Sequence, residues 1–279
     1  MQQTVDLHTH STYSDGSATP EEIIQKAVAI GLQAVALTDH NTVAGLPDFS
    51  KASKGKDILA VPGVEISTEY DGTELHIVGL FLEPEYFAQT TAFLNEMNLR
   101  KDQSNRDLIQ ALNQAGYDLD YDQIKGSHQG TVNRAVIAAE LLKKGYISTI
   151  KEAFKGLLSE EQGYYVPPKR LSSFEAISFL RSVHAIPVLA HPFLDLTEEE
   201  LRVFLQKAKP CGLMAMETRY STWDQETTDT AIRIAEAFGL LQSGGSDYHG
   251  TNKTDIHLGT GKGSLAVPRA LLDELMAHK

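Results

Sequence analysis

Short apolar runs alternate with helical patterns in two separate parts of this 279-residue chain. Such alternation is typical of parallel strands joined by helices. The predicted strands lie at 4–7, 34–37, 58–61, 64–69, 75–82, 187–190, 212–217 and 240–243. Residues 85–164 instead have helical spacing with no intervening strand. We therefore expect an α/β fold in which residues 1–84 and 165–279 close one barrel-like domain and residues 85–164 form a helical insertion or lid.

The composition limits the partners that the chain can have. A net charge of −12 disfavours binding to duplex nucleic acid, because such binding depends on many Lys and Arg side chains that neutralise phosphates. The single cysteine, Cys211, excludes an intramolecular disulfide. No apolar run approaches the ~20 residues that cross a membrane. We expect a cytoplasmic protein that binds no membrane, and the sequence leaves its oligomeric state open.

Histidines and acids follow several of the predicted strands. His8 and His10 are two residues apart at the end of the first strand, so both side chains project from one face. This pair alone is equally consistent with solvated histidines. In a parallel barrel, however, the C-terminal strand ends meet at one rim, where further side chains would join the pair. Those further side chains are Asp15, Asp39, His40, His191, Asp247 and His249.

A hairpin places two more candidate ligands. The Asp71-Gly72 pair predicts a two-residue turn, which would set Glu65 opposite residue 78 and His76 opposite residue 67. Glu65 and His76 would then be diagonal neighbours on one face of the hairpin, roughly 7–8 Å apart at the backbone. One metal ion can bridge that gap. A surface pair of Glu65 and His76 without a metal is the alternative.

These donor types indicate a particular metal chemistry. Imidazoles and carboxylates without a thiolate suit zinc, manganese or iron, and the share of carboxylates favours manganese. The donors exceed the needs of one ion, so we expect two or three divalent ions. A water bound to such a cluster loses a proton near neutral pH. The predicted reaction is therefore attack by a metal-bridging hydroxide.

Five ordered segments resemble the polymerase and histidinol phosphatase (PHP) superfamily. The resemblance covers nearly the whole chain apart from the helical insertion, and it implies a distorted (β/α)7 barrel with a trinuclear metal centre. The segments are Asp6-Leu7-His8-Thr9-His10, Thr38-Asp39-His40, Gly63-Val64-Glu65, Ala190-His191-Pro192 and Gly245-Ser246-Asp247-Tyr248-His249.

The same resemblance implies a ligand set for each ion, with Glu65 shared between two of them. The sets are His8, His10, Glu65 and Asp247 for the first ion, Asp15, His40 and His249 for the second, and Glu65, His76 and His191 for the third. Asp39 would face away from His40 on a strand, and we interpret it as a partner that orients an imidazole, with a loop cap as the alternative. His191 or Asp247 is the candidate acid for the leaving group, although a coordinated side chain is a poor acid.

Segments within the insertion and directly after it resemble small bacterial phosphoesterases that act on nucleoside 3′,5′-bisphosphates and on the 5′ ends of short RNA. The similar segments run from Asn133-Arg134 to Gly145-Tyr146 and over Tyr165-Val166-Pro167. Those relatives usually have Gly-Arg-Pro-His where this chain has Asn133-Arg134-Ala135-Val136, so the arginine is kept and a valine replaces the histidine. We expect Arg134 and Lys169 to bind the substrate phosphate, with solvated surface charges as the alternative.

The predicted function is hydrolysis of a small phosphate monoester, with a nucleoside 3′,5′-bisphosphate or the 5′ end of a short oligonucleotide as the substrate. A cyclic, sugar or histidinol phosphate is an alternative substrate. Hydrolysis of a carbon–nitrogen bond and a non-catalytic, metal-stabilised binding module are alternative functions. Arg134 and Lys169 favour a phosphate over an amide. The presence of every expected ligand position disfavours the non-catalytic module.

Overall fold

The computed structural model describes residues 3–127, 132–168 and 171–279. The chain divides into two compact units, one of residues 1–91 and 171–279 and one of residues 92–170. In the described ranges the larger unit holds the strands, and the smaller unit is helical. No described helix is both long and apolar enough to cross a membrane. Domain boundaries at 84 and 164 stay a prediction.

Eight strands form one sheet in the larger unit, in the order β7-β6-β5-β4-β3-β2-β1-β8. β4 runs antiparallel to both β3 and β5, and β8 runs antiparallel to β1, whereas the other neighbours are parallel. The strands are β1 Thr4–Asp6, β2 Ala34–Leu37, β3 Leu59–Tyr70, β4 Thr73–Leu80, β5 Ile186–Leu189, β6 Ala215–Tyr220, β7 Leu241–Gly245 and β8 Val267–Pro268.

Backbone hydrogen bonds between the first and seventh strands nearly close this sheet. The amide of Leu7 donates to the carbonyl of Gly244 at 3.2 Å, and the amide of Asp247 donates to the carbonyl of His8 at 2.9 Å. Seven strands thus form the barrel, and the two residues of β8 extend it at β1. The predicted barrel is confirmed, and the antiparallel β4 distorts it from a regular all-parallel arrangement.

Helices connect the strands of the larger unit. Each of α1, α7 and α8 begins with a capping box, in which a Ser or Thr side chain and a Glu side chain satisfy each other's free amide groups. α10 packs against β1, β7 and β8, and its Leu272 and Leu275 join the apolar core formed by the strands. The helices of this unit are α1 Pro20–Ala29, α2 Leu46–Ser53, α7 Ser173–Ser182, α8 Glu198–Ala208, α9 Gln225–Phe238 and α10 Arg269–Ala277.

The smaller unit has its own apolar core. Leu108 and Leu112 pack with Ile137 and Leu141 in this core, and all four are fully buried. The helical spacing of the sequence predicts a helix over residues 148–158, whereas the helix found there is shorter and ends before Gly156, and a further helix begins at Tyr121. The helices are α3 Phe87–Gln114, which begins in the larger unit, α4 Tyr121–Ser127, α5 Arg134–Lys143 and α6 Ile150–Lys155.

The β3–β4 hairpin has the predicted register. Glu65 pairs with Val78, and Ser67 pairs with His76. Asp71 and Gly72 both have positive φ, 51° and 82°, as a type I′ turn requires. One expectation was wrong: the two predicted strands at 58–61 and 64–69 are a single strand. Its first part pairs with β2 and the rest with β4, so Pro62-Gly63 does not interrupt it.

We expect replacement of Gly72 by alanine to destabilise the hairpin by about 1 kcal/mol, because a Cβ is unfavourable at positive φ. Gly72→Asn is the matched control, since asparagine tolerates this region better. Urea unfolding followed by circular dichroism measures both. Equal unfolding midpoints for wild type, Gly72→Ala and Gly72→Asn would show that the turn does not contribute.

Candidate metal centre

The predicted ligand residues lie in the larger unit where the parallel strands end. His8 and His10 follow β1, and His40 follows β2. Glu65 lies in the middle of the long β3, where its backbone pairs with that of His40 in an isolated parallel β-bridge. Because β4 runs in the opposite direction, His76 comes from its first half and reaches the same end of the barrel. His191, Asp247 and His249 follow β5 and β7.

Glu65 lies at the centre of the cluster. Its side chain is fully buried, and five imidazoles surround the carboxylate. Oε1 lies 2.9 Å from Nδ1 of His76 and 3.2 Å from Nε2 of His191. Oε2 lies 3.2 Å from a ring nitrogen of each of His8, His10 and His40. Each carboxylate oxygen therefore faces its own group of rings, as a bridging ligand requires.

Asp15 closes the cluster on its solvent side. Its Oδ1 lies 3.3 Å from Nε2 of His249 and 3.8 Å from Nδ1 of His10, and its Oδ2 lies 3.9 Å from Nε2 of His40. The Asp15 side chain is about half exposed, whereas His10 and His249 are buried. This carboxylate is thus the most exposed of the ligand candidates.

Among the residues that the structure describes, four overlapping groups of His, Asp and Glu have donor atoms within 4.8 Å of one another. One group contains the whole set implied for the second ion, with His10 added. His76 and His191, which are both implied for the third ion, fall in different groups. Both contact the same oxygen of Glu65, and their rings meet edge to face with centroids 5.2 Å apart. The groups are His10, Asp15, His40 and His249; His8, Glu65 and His191; His8, His10 and Asp247; and His40, Glu65 and His76.

Unsatisfied polar atoms show that a cation fits this cluster. Nδ1 of His10, His40 and His191 and Oε2 of Glu65 are buried and have no hydrogen-bond partner. Buried polar atoms are normally paired, because an unpaired one loses its interaction with water. Lone pairs on imidazole and carboxylate that converge without donors between them are what divalent cations bind.

Neighbouring carboxylates influence the protonation of the histidines. Burial alone would lower the pKa of His8, but Glu65 and Glu217 raise it well above its ordinary value. Burial likewise opposes protonation of His10 and His76, yet a hydrogen bond to Asp247 and the charge of Glu65 raise the pKa of His10 to about 9, and Glu65 raises that of His76 to about 10. Burial lowers the pKa of His40 to about 3. Without a metal, protons therefore supply the positive charge next to Glu65.

Sequence reasoning missed Glu217 on β6, which orients two ligand candidates. Oε1 of Glu217 accepts a hydrogen bond from Nδ1 of His8 at 2.9 Å, so Nε2 of His8 faces Glu65. Oε2 accepts a hydrogen bond from the backbone amide of His191 at 2.7 Å. The available signal was an acid at the end of a strand at the same rim.

Asp39 does not make the predicted contact. Instead of orienting an imidazole, it accepts hydrogen bonds from the amide and hydroxyl of Ser11 and from the hydroxyl of Ser14, all at 2.7 Å. These bonds order the loop that carries Asp15, so the loop-cap alternative describes the structure. Asp39 contacts the serines and not an imidazole because it is adjacent to His40 in the chain and projects away from it.

Two further side chains hold Asp247. The hydroxyl of Tyr220 donates to Oδ2 of Asp247 at 2.8 Å, and Nζ of Lys253 lies 2.7 Å from the same oxygen. Oδ1 of Asp247 lies 3.2 Å from Nε2 of His10. One carboxylate oxygen is thus occupied, and the other faces the histidine cluster. Lys253 was not predicted as a member of the site, whereas Tyr220 follows a predicted strand that ends at this rim.

The backbone around the site has conformations that cost energy. His191 and Asp247 have positive φ, 28° and 55°, which is uncommon for residues with a side chain and is concentrated at functional sites. Gly245 lies against His8, where an added Cβ would come within 2.4 Å of the His8 Cβ. A Cβ added at Gly16 would likewise come within 2.3 Å of the carbonyl oxygen of His10. These two glycines therefore allow the neighbouring segments to approach His8 and His10 closely.

Of the two predicted phosphate-binding residues, the structure describes Arg134, whereas Lys169 is outside the described residues. Arg134 begins α5 in the smaller unit, where its guanidinium lies 4.2 Å from the ring centroid of Tyr165 and 5.5 Å from that of Phe154. It also donates to the carbonyl of Leu158 at 3.2 Å. Its role in phosphate binding stays a prediction.

Comparison with known proteins gives the family of the chain. The PHP domain model matches residues 6–166. A 5′-3′ exoribonuclease from Haemophilus influenzae is 32% identical over 89% of this chain and 91% of its own length. A 3′,5′-nucleoside bisphosphate phosphatase from Chromobacterium violaceum is 25% identical over 98% and 97%. A solved structure from Bifidobacterium adolescentis, named as a metal-dependent phosphoesterase, has a similar fold, with a TM-score of 0.78 and 24% identity over 99% of this chain and 96% of that one.

The chain belongs to the PHP domain family, and it is a metal-dependent phosphoesterase. The family match and the clustered histidines and carboxylates agree on this class, since the donor set found at the strand ends is the one that a divalent cation requires.

We expect Glu217→Gln to weaken metal binding about 10- to 100-fold, the range typical for partners that orient a metal ligand. The amide keeps the size of the side chain but loses the charge that fixes the His8 tautomer. Competition with a chelating dye measures manganese affinity. Glu226→Gln, an exposed position at the start of α9, is the control. Unchanged affinity in Glu217→Gln would mean that Glu217 does not support the site.

Metal binding should also release protons at pH 7. The pKa values of His10 and His76 are raised to about 9 and about 10, that of His8 is raised well above its ordinary value, and a coordinated ring nitrogen must be deprotonated. We expect release of at least one proton and an affinity that rises with pH. Calorimetric titration of manganese in two buffers with different ionisation enthalpies counts the protons, and identical heats in both would contradict the expectation.

Proposed function

We propose that this phosphoesterase hydrolyses monoesters of small nucleotides, either nucleoside 3′,5′-bisphosphates or the 5′-phosphorylated ends of short RNA. The observation that carries the proposal is the buried cluster around Glu65, which opens into a cavity of about 290 Å³. Such a volume suits one phosphate group with part of its ester. The similarity to the exoribonuclease and to the bisphosphate phosphatase over about nine tenths of the chain supports a nucleotide substrate.

We propose two or three divalent ions, with manganese favoured over zinc and iron. When bound, such ions supply charge neutralisation for the phosphate and activation of water. The absence of thiolate among the donors supports this choice of metals. The residues that would hold the ions are His8, His10, Asp15, His40, Glu65, His76, His191, Asp247 and His249.

The surrounding residues would orient these ligands for catalysis. Glu217 directs Nε2 of His8 towards the cluster, and Tyr220 leaves only Oδ1 of Asp247 free to face it. Burial of Glu65 excludes bulk water from the floor of the site, which strengthens electrostatic stabilisation of the transition state. His191 and Asp247 line the cavity and are the proposed proton sources for the leaving oxygen, although coordination would make either a poor acid.

Arg134 is proposed as an additional phosphate contact, together with Lys169. Two observations support Arg134. Its segment resembles the small bacterial phosphoesterases, and its guanidinium lies over the ring of Tyr165. A planar guanidinium that is held by stacking presents its N–H donors along its edge, and this geometry matches phosphate oxygens. Asn133 caps α5 through the amide of Val136, so the helix end at Arg134 is well defined even though Val136 replaces the histidine of relatives.

The proposal predicts phosphate release by the manganese-loaded protein from a nucleoside 3′,5′-bisphosphate and from 5′-phosphorylated oligoribonucleotides. Glu65→Gln should lose more than about 100-fold of this activity, because it removes the charge shared by the predicted ligand sets. His278→Ala is the matched control, since His278 is exposed and donates to the Glu274 carbonyl away from the cluster.

The substrate panel should also contain a cyclic phosphate, a sugar phosphate, histidinol phosphate and an amide. Preference for one of the first three would replace the nucleotide assignment. Hydrolysis of the amide alone would contradict the proposed chemistry. Wild-type activity in Glu65→Gln would show that the reaction occurs elsewhere.

A further inference from the structure

The cavity beside the metal centre is lined mainly by acidic and imidazole groups. Four carboxylates face it, and they would repel a phosphate. Leu194 forms an apolar part of the lip and is half exposed. Lys253 is the only Lys or Arg among the described residues that line this cavity. The lining carboxylates are Glu65, Glu74, Asp195 and Asp247.

Lys253 is held at the cavity wall by the segment that carries two ligand candidates. A short 3-10 helix, Gly250–Lys253, follows His249 directly and places the Lys253 side chain back over Asp247. Its Nζ lies 2.7 Å from Oδ2 of Asp247, the oxygen that does not face His10. The Lys253 side chain is 41% exposed and lines the cavity.

We propose that Lys253 binds the phosphoryl group of the substrate. An ammonium group has three donors, so Nζ can keep its bond to Asp247 and donate a second bond to a phosphate oxygen. Asp247 fixes the direction of the ammonium group, and Lys253 brings a positive charge to the wall of a largely acidic cavity. This inference rests on the proposed function, because it places a phosphate ester in the cavity.

The alternative is that Lys253 only supports Asp247. Tyr220 separates the two roles, since its hydroxyl donates to the same Asp247 oxygen without a positive charge. If Lys253 only supports Asp247, removing its charge should weaken manganese binding, as should Tyr220→Phe. If Lys253 binds phosphate, its removal should weaken phosphate binding at saturating manganese even where the manganese content equals that of wild type.

The test is calorimetric titration of inorganic phosphate into manganese-saturated full-length protein. We expect Lys253→Met to weaken phosphate binding about 10- to 100-fold, as for loss of a charge-assisted hydrogen bond, and Lys253→Arg to restore most of it. Tyr220→Phe removes a contact to Asp247 without removing a charge, so its manganese affinity gives the loss expected from weaker support of Asp247 alone. Lys262→Met is the matched control, because Lys262 is a similarly exposed lysine paired with Asp255. Metal content is measured for each variant.

Wild-type phosphate affinity in Lys253→Met would overturn the inference, as would a loss of phosphate binding that follows a loss of manganese. An absence of phosphate binding by the wild-type protein would overturn it as well. Because phosphate binding requires no turnover, the test is independent of nucleotide hydrolysis. A protein that binds phosphate through Lys253 but hydrolyses no nucleotide would retain this inference and contradict the proposed substrate.

Discussion

The burial of the Glu65 carboxylate is the constraint on which the site and much of the barrel depend. A buried carboxylate is unfavourable unless charged or hydrogen-bonding partners surround it. Its five imidazole partners come from four different strands or the residues directly after them, and no strand supplies more than two of them. These strands lie on both sides of β3 in the sheet, so the sheet order brings the rings together around Glu65. Closure between β1 and β7 then adds Asp247, whose Oδ1 lies 3.2 Å from Nε2 of His10.

The contact between β1 and β7 completes that closure. Asp6, fully buried on β1, accepts hydrogen bonds from the amide and hydroxyl of Ser246 at 2.8 and 2.5 Å. Gly245 allows the two backbones to approach at His8. The same loop then carries Asp247, His249 and Lys253, so the joint that closes the barrel also positions ligands and the proposed phosphate contact. A disturbance of this joint would affect fold and site together.

Local sequence signals predict the parts of this structure that depend on short-range geometry. The Asp71-Gly72 turn sets the register of Glu65 and His76, because positive φ at both positions permits one pairing. Strand ends also place the histidines, since parallel strands share a rim. Glu217 was missed because its contact with His8, 209 positions away, depends on how far β6 is staggered relative to β1. Lys253 was missed because its contact with Asp247 depends on the short 3-10 helix Gly250–Lys253, which brings the lysine side chain back to the aspartate. Asp39 could be excluded as a ligand, but its serine partners could not be assigned.

Electrostatics connects metal binding with substrate binding in this protein. The cavity lining includes four carboxylates, and the whole chain carries a net charge of −12. At an effective dielectric constant of 20, two like unit charges 4 Å apart repel by about 4 kcal/mol, so the lining carboxylates oppose phosphate binding. Without a metal, protonated imidazoles next to Glu65 offset part of this charge, and bound divalent cations would replace those protons with a larger positive charge. By thermodynamic linkage, whatever the metal contributes to phosphate affinity the phosphate returns to metal affinity. The metal and the phosphate thereby stabilise each other in this acidic cavity, and Lys253 contributes a positive charge that does not depend on the metal.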